Sequence, residues 1–257
     1  MGEKLKVLDL FSGIGGFSLG LERTGGFETV AFCEIEEYPR KVLAKHWPDV
    51  PCYDDVRELT AERLAADGIT VDVITGGFPC QDISVAGNQA GIATGTRSGL
   101  WSEITRLISE IRPKFVIVEN VANLLVGPSD QPGRWFSRVL GDLAERGYNV
   151  EWENIPAAAL GAPHRRERVW IVAYPDQDGC EFSILTAGRV YQVESAFIWE
   201  PFRAASFAVR VPELATLCGN DDGVPEELGA LGNAVVPQIP ELIGRAILAS
   251  MNERMAA

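Results

Sequence analysis

The sequence predicts a doubly wound α/β fold built on a mostly parallel sheet. Short apolar runs alternate with amphipathic stretches through residue 174, the order of strand and crossover helix that makes βαβ units. The runs are continuously apolar instead of alternating with polar residues, which suits strands covered by helices on both faces. With 257 residues, 46% of them apolar, the chain can build one large domain, alone or with a small insertion.

The elements follow in order. Residues 6–10 form the first strand, a glycine cluster follows, and residues 16–24 carry a helical pattern. A second strand at 29–33 precedes a helical stretch at 37–46, and another helical stretch at 60–66 leads into a strand at 71–75. The pattern at 101–111 precedes a strand at 115–118. The pattern at 134–146 precedes strands at 149–155 and 169–173. From Pro175 to Leu228 the helical periodicity disappears and aromatic residues are scattered among Pro and Gly. A closing helix is expected over 237–251, with Pro237 at its start, where a missing N–H does no harm. The expected organisation is a catalytic domain over 1–174 plus 229–257, interrupted by a 54-residue insertion at 175–228.

Composition narrows the function classes. Lys and Arg number 23 against 36 Asp and Glu, a formal charge of −13, which taken alone argues against a general nucleic-acid binder. No uninterrupted apolar stretch of about 18 residues exists, so no membrane span is expected. The N-terminus enters a strand directly, without a signal-peptide pattern. Five widely spaced Cys and two His give neither a disulfide framework nor a zinc site. A reduced, cytoplasmic setting without a metal is the expectation.

Two loops carry chemistry. Gly13, Gly15 and Gly16 lie between a strand and a helix, where glycine permits a tight turn and close backbone approach to a ligand. Glu34 closes the next strand, at the point where carboxylates hold ribose hydroxyls. This pairing points to a nucleoside-bearing cofactor without saying which one. The second loop is Gly76-Gly-Phe-Pro-Cys-Gln-Asp-Ile-Ser84. It places Cys80 just past a strand's carboxyl end, where open α/β sheets form their ligand crevice. Isolated cysteines are usually inert core residues, but Pro79 stiffens the backbone here, and Gln81, Asp82 and Ser84 weigh against deep burial. Gly87, Gly91, Gly95 and Gly99 recur around Asn88, Gln89, Thr94, Thr96 and Arg97, a texture suited to a lid that closes over a site.

Taken together, Phe78-Pro-Cys-Gln81 and the 9–16 loop resemble the DNA cytosine-5 methyltransferases, most of all the compact bacterial and phage members. Glu119-Asn-Val121, Arg165-Arg-Glu-Arg168 and Gly232-Asn-Ala-Val-Val-Pro237 match the family in order and spacing. The resemblance covers 1–174 and 229–257. It implies a Rossmann-like S-adenosylmethionine-dependent methyltransferase sheet with a small target-recognition region at 175–228. It also implies S-adenosylmethionine as cofactor, with Phe11, Gly13, Gly16, Glu34, Ile35, Asp55, Val56, Pro79, Leu100 and Asn233 as its contacts. Within that set, Glu34 would bind ribose, Ile35 would pack on adenine, and Asp55 would read the adenine amino group.

The activity implied is methyl transfer to C5 of a flipped-out cytosine in double-stranded DNA, by a monomer, in restriction–modification or phage self-protection. Cytosine C5 is a poor nucleophile until a thiolate adds to C6, and Cys80 matches that nucleophile. Glu119 matches the acid that supports N3, which requires a carboxyl kept protonated near neutrality by burial. Arg168 matches the contact to cytosine O2, and Arg166 supports the site or a phosphate. Gln81, Ser84 and Arg97 are the expected substrate contacts. The base must leave the duplex to be reached.

The sequence departs from the family in its short insertion, which holds three Arg, no Lys and ten Asp and Glu. Major-groove readout relies on Arg, Lys, Asn and Gln, so weak DNA binding is expected. His164 stands where the family often has Gln, and Ala86 where a second Ser is common. Two other readings stay open. One is an RNA cytosine-5 methyltransferase of the same family. The other is a cofactor-binding, catalytically silent or partner-dependent protein with impaired DNA recognition.

Overall fold

A computed structural model of the chain describes residues 3–79, 100–127, 131–160, 166–176 and 234–256. The strands are β1 (Leu5–Leu10), β2 (Phe27–Cys33), β3 (Cys52–Tyr53), β4 (Val73–Gly76), β5 (Phe115–Val121), β6 (Tyr148–Pro156) and β7 (Glu167–Pro175). The described helices are α1 (Gly16–Glu22), α2 (Glu37–His46), α3 (Ala61–Ala66), α4 (Trp101–Ile111), α5 (Asn123–Val126), α6 (Arg134–Ala144) and α7 (Gln238–Ala256), with a 3₁₀ turn at Ala157–Leu160. Among the described residues, strand order across the seven-stranded sheet is β3-β2-β1-β4-β5-β7-β6. The first five strands pair in parallel, while β7 lies antiparallel between β5 and β6. The expected mostly parallel, doubly wound sheet is present.

Helices cover both faces. On one, Leu64, Trp101, Ile104, Leu107, Ile108, Trp135, Val139 and Leu143 pack against Leu8, Leu10, Ile74, Val116, Val118 and Ile171. On the other, Phe17 and Leu21 of α1 and Ile239, Leu242, Ile243 and Ile247 of α7 cover Val7, Val73, Ile117, Trp170 and Val172. Burying each such side chain contributes about 1.5–3 kcal/mol against exposure. Local signals set the helices. In α4 the buried residues Trp101, Ile104, Thr105, Leu107 and Ile108 fall at helical spacing, and in α3 the Thr60 hydroxyl caps the first turn by accepting the Arg63 N–H at 3.1 Å.

Helix α1 carries no side chain at Gly16 and Gly20 for a packing reason. A Cβ at either would collide with the backbone carbonyl of Val235 or Pro237 at the start of α7. The two helices therefore meet backbone to backbone, and the glycine loop at the head of α1 is backed by the α7 entry segment.

Three differences from the sequence reading have physical causes. Strand β5 runs on through Glu119, Asn120 and Val121 instead of ending at 118, because β7 pairs with it as far as Val121↔Arg168. Strand β3 has only two residues, too few to show a periodicity. The same holds for α5, a single turn. The proposed insertion at 175–228 lies outside the described residues, apart from Pro175 and Asp176.

Candidate active site

Strand order reverses between β1 and β4, and a crevice outside their carboxyl ends is where open α/β sheets bind ligands. Two loops leave the sheet there: residues 11–15 after β1, and residues 77–79 after β4.

The first loop is tightly bent. Phe11, Gly13 and Gly15 all have positive φ, at 51°, 52° and 86°, and for Gly15 no other residue fits, since a Cβ would run into the Trp47 ring. Ser12 ties the loop to β2: its N–H donates to the Cys33 carbonyl at 3.3 Å and its hydroxyl accepts the Cys33 N–H at 3.2 Å. Beneath it lies Asp9, fully buried. One carboxyl oxygen accepts from the Thr75 hydroxyl of β4 at 2.7 Å, and the other from the Ser18 hydroxyl of α1 at 2.8 Å. Burial outweighs these two bonds and pushes the Asp9 carboxyl up to about 7.

Glu34, at the end of β2, is buried and faces this loop. One of its oxygens accepts the Gly13 N–H at 2.7 Å and the other the Glu36 N–H at 2.8 Å. Each carboxylate oxygen keeps a further lone-pair direction for a ligand hydroxyl. Beside it Ile35 leaves 62% of its surface exposed, an apolar plate next to an acceptor. The open space where a Gly13 Cβ would stand completes a cradle that fits a nucleoside.

Asp55 and Val56 lie on the loop after β3. Val56 is buried in the core, and the Asp55 carboxylate receives Arg57 through Nε at 2.9 Å and Nη2 at 2.5 Å, which holds it below the usual carboxylate range. Leu100 heads α4, half-buried against the core.

The second loop runs Gly77-Phe78-Pro79. Phe78 is buried against the Trp101 ring, with centroids 5.4 Å apart. Its carbonyl accepts a 3.0 Å hydrogen bond from Nδ2 of Asn120, whose Oδ1 accepts the Val121 N–H at 2.9 Å. Asn120 is 1% exposed. In sequence, Asn120 stands out only as the motif neighbour of Glu119. Its alternation with Glu119 along β5 was the available signal, because adjacent strand residues face opposite sides.

Glu119 and Arg168 meet on the other face. Their strands are neighbours, and Glu119 Oε1 accepts from Arg168 Nε at 2.9 Å. Only 12% of the Glu119 side chain and 23% of that of Arg168 are exposed. Burial raises the Glu119 carboxyl above its ordinary value, with Arg168 and Arg166 pulling the other way. A Cβ at Gly77 would sit 3.3 Å from Glu119 Oε2, so the carboxyl stands directly beside the second loop. Arg166 is held at φ 32°, a strained value for a residue with a side chain.

A sequence profile described as C-5 cytosine-specific DNA methylase matches residues 5–208, most of the chain. The chain belongs to that family. Among curated relatives it is 41% identical over 186 residues to the Type II methyltransferase M.Sau3AI of Staphylococcus aureus, covering 66% of this chain and 43% of that protein. It is 38% identical over 173 residues to M2.BsuMI of Bacillus subtilis, covering 66% and 42%. The chain thus spans less than half the length of these relatives. Of solved structures, the S. pombe Dnmt2 methyltransferase shares the fold at a TM-score of 0.58 and 21% identity, over 74% of this chain and 55% of that one.

In this chain, the described residues expected around a cofactor divide into two groups. Phe11, Gly13, Gly16, Glu34, Ile35 and Pro79 gather at the carboxyl ends of β1, β2 and β4, and Asp55, Val56 and Leu100 lie on loops entering from beside β3 and α4. Cys80, Gln81, Ser84, Arg97 and Asn233 lie outside the described residues. Among the described residues no three His, Cys, Asp or Glu are grouped to hold a metal ion, and no helix is long and apolar enough to cross a membrane.

Proposed function

We propose that this chain transfers a methyl group from S-adenosylmethionine to C5 of a flipped-out cytosine in double-stranded DNA, through a covalent bond between Cys80 and C6. The observation that carries the proposal is the buried Glu119–Arg168 pair at 2.9 Å beside the loop that leads into Cys80. A raised carboxyl and a guanidinium side by side suit a ring that must accept a proton at N3 while its O2 is held.

Each residue then has a task. Glu34 receives ribose hydroxyls and Ile35 covers one face of adenine, while the 11–15 backbone wraps the nucleoside. Bound S-adenosylmethionine supplies an electrophilic methyl group. The Cys80 thiolate adds to C6 as Glu119 donates its proton to N3, which makes C5 electron-rich. Arg168 neutralises charge gathering at O2. Once C5 carries the methyl group, loss of the C5 proton to solvent, expulsion of Cys80 as thiolate and return of the N3 proton to Glu119 would restore the aromatic ring and the starting state of both side chains. Asn120 keeps the Phe78 carbonyl, and with it the approach to Cys80, in place. Gln81, Ser84 and Arg97 are the proposed contacts to the DNA around the flipped base, and Asn233 completes the cofactor set.

The names of the Type II methyltransferase relatives support a role in restriction–modification. Transfer of tritiated methyl groups to unmethylated plasmid DNA tests the whole reading. Wild-type protein is expected to label cytosine C5 and Cys80→Ser to give none. Equal labelling by both would remove Cys80 from the mechanism.

A further inference from the structure

Strand β3 has two residues and lies at the sheet edge, so the loop that follows it has little ladder to fix its path. That loop carries Asp55 and Val56. Its support comes from α4, a helix more than forty residues away in sequence. Arg106 Nη2 donates to two of its carbonyls at once, those of Val56 and Leu59, each at 2.9 Å. The guanidinium is itself pinned from both sides along its helix: Nε donates to Glu103 at 2.9 Å and Nη1 to Glu110 at 2.8 Å. Glu110 then reaches the same segment, accepting the Ala61 N–H at 3.1 Å where α3 begins. Arg106 thus uses four contacts, a number that needs its planar set of five donors.

The other end of α4 is fixed to the catalytic side. Trp101 packs on Phe78, and its indole N–H donates to Asp142 of α6 at 2.8 Å. One rigid helix therefore holds both the loop leading into Cys80 and the loop bearing Asp55.

We propose that Arg106 is a positioning residue for cofactor recognition: by gripping the Val56 and Leu59 carbonyls, it sets the backbone path on which Asp55 meets the adenine edge. This rests on the methyltransferase reading, in particular on Asp55 as the acceptor for the adenine amino group. Its mark is selectivity between nucleosides, since hypoxanthine presents an oxygen where adenine presents an amino group. Leaving the loop without its charged anchor allows Asp55 to lose register with that group, whereas Glu34 and Ile35 continue to hold ribose and ring.

Calorimetric titration of the full chain with S-adenosylhomocysteine and S-inosylhomocysteine provides the test. The wild type is expected to prefer the adenosyl compound. Arg106→Ala is expected to weaken binding of that compound about tenfold, the scale of a lost charge-assisted anchor, and to shrink the preference by a similar factor. Arg106→Lys, which can satisfy fewer partners, is expected to fall between the two. Should Arg106→Ala not fold, Arg106→Lys decides alone. The proposal is overturned if the variants keep the wild-type preference, whether or not both ligands bind more weakly, because equal weakening describes a general structural role. Failure of the wild type to bind S-adenosylhomocysteine at all would instead bring down the methyltransferase reading and this proposal with it.

Discussion

Asp9 makes stability depend on pH in an unusual direction. Its carboxyl has an ordinary value of 3.8 and is raised to about 7 in the folded protein by complete burial. Between those values the folded chain holds a proton that the unfolded chain has released. Stability from this group is fully present below ~3.8, declines as pH rises, and is lost by the time pH passes about 7. At ~1.36 kcal/mol for each unit, the loss between pH 5 and pH 8 comes to about 2–3 kcal/mol. Urea unfolding at pH 5, 6, 7 and 8 measures it as a falling midpoint. Asp9→Asn removes the titration while keeping an acceptor for one hydroxyl, and the other hydroxyl can rotate to accept. The variant should unfold with a midpoint flatter by that amount over the same range. A pH slope identical in wild type and Asp9→Asn would refute the burial argument, because the buried Glu119, also raised, would then account for all of it.

Other outcomes follow from the same contacts. Glu119→Gln should lower kcat by about 10²–10⁴. Arg168→Ala should lower the plateau and move the basic limb of the kcat profile upward, because the neighbouring charge that holds the Glu119 carboxyl down is gone. Asn120→Ala strands the buried Phe78 carbonyl and should cost about 1–3 kcal/mol in chemical denaturation. Gly20→Ala drives a methyl group into the Pro237 carbonyl and should cost about 1–3 kcal/mol, read as a lowered Tm. A gel shift at physiological salt should show only weak DNA binding, given the acidity of residues 175–228.

The fold was legible where hydrophobic pattern decides it. Strands β1, β2, β4 and β5 are short apolar runs, and each predicted range overlaps the observed one. Strand β6 reads differently, with Asn149, Glu151 and Glu153 between apolar residues, because it lies at the sheet edge. Antiparallel placement of β7 between β5 and β6 depends on long-range pairing that no local pattern encodes. At the site, Glu34 and Glu119 were found from their places at strand ends and from family resemblance. Their partnerships were not: that Glu119 faces Arg168 needs the β5–β7 register, and that Arg106 grips Val56 and Leu59 needs two segments brought together across the sheet face. Ser12 and Asp9 stand inside the loop motif, but only packing shows that one binds β2 and that the other is a fully buried carboxyl held by Thr75 and Ser18.

The contact of α1 with the start of α7 has a consequence for synthesis. The glycine loop leaves the ribosome with residue 16, while the segment that backs it arrives about 220 residues later. At roughly 5–20 residues per second, that interval is on the order of ten to forty seconds. Throughout it, the apolar surfaces of Phe17 and Leu21 await the residues of α7 that cover them, and Trp170 joins them for the last part. A chain that has not yet gained α7 therefore lacks the support on which its nucleoside cradle rests, and cofactor stabilises the protein only once that helix has docked, as a ligand of the assembled fold and not as a template for it.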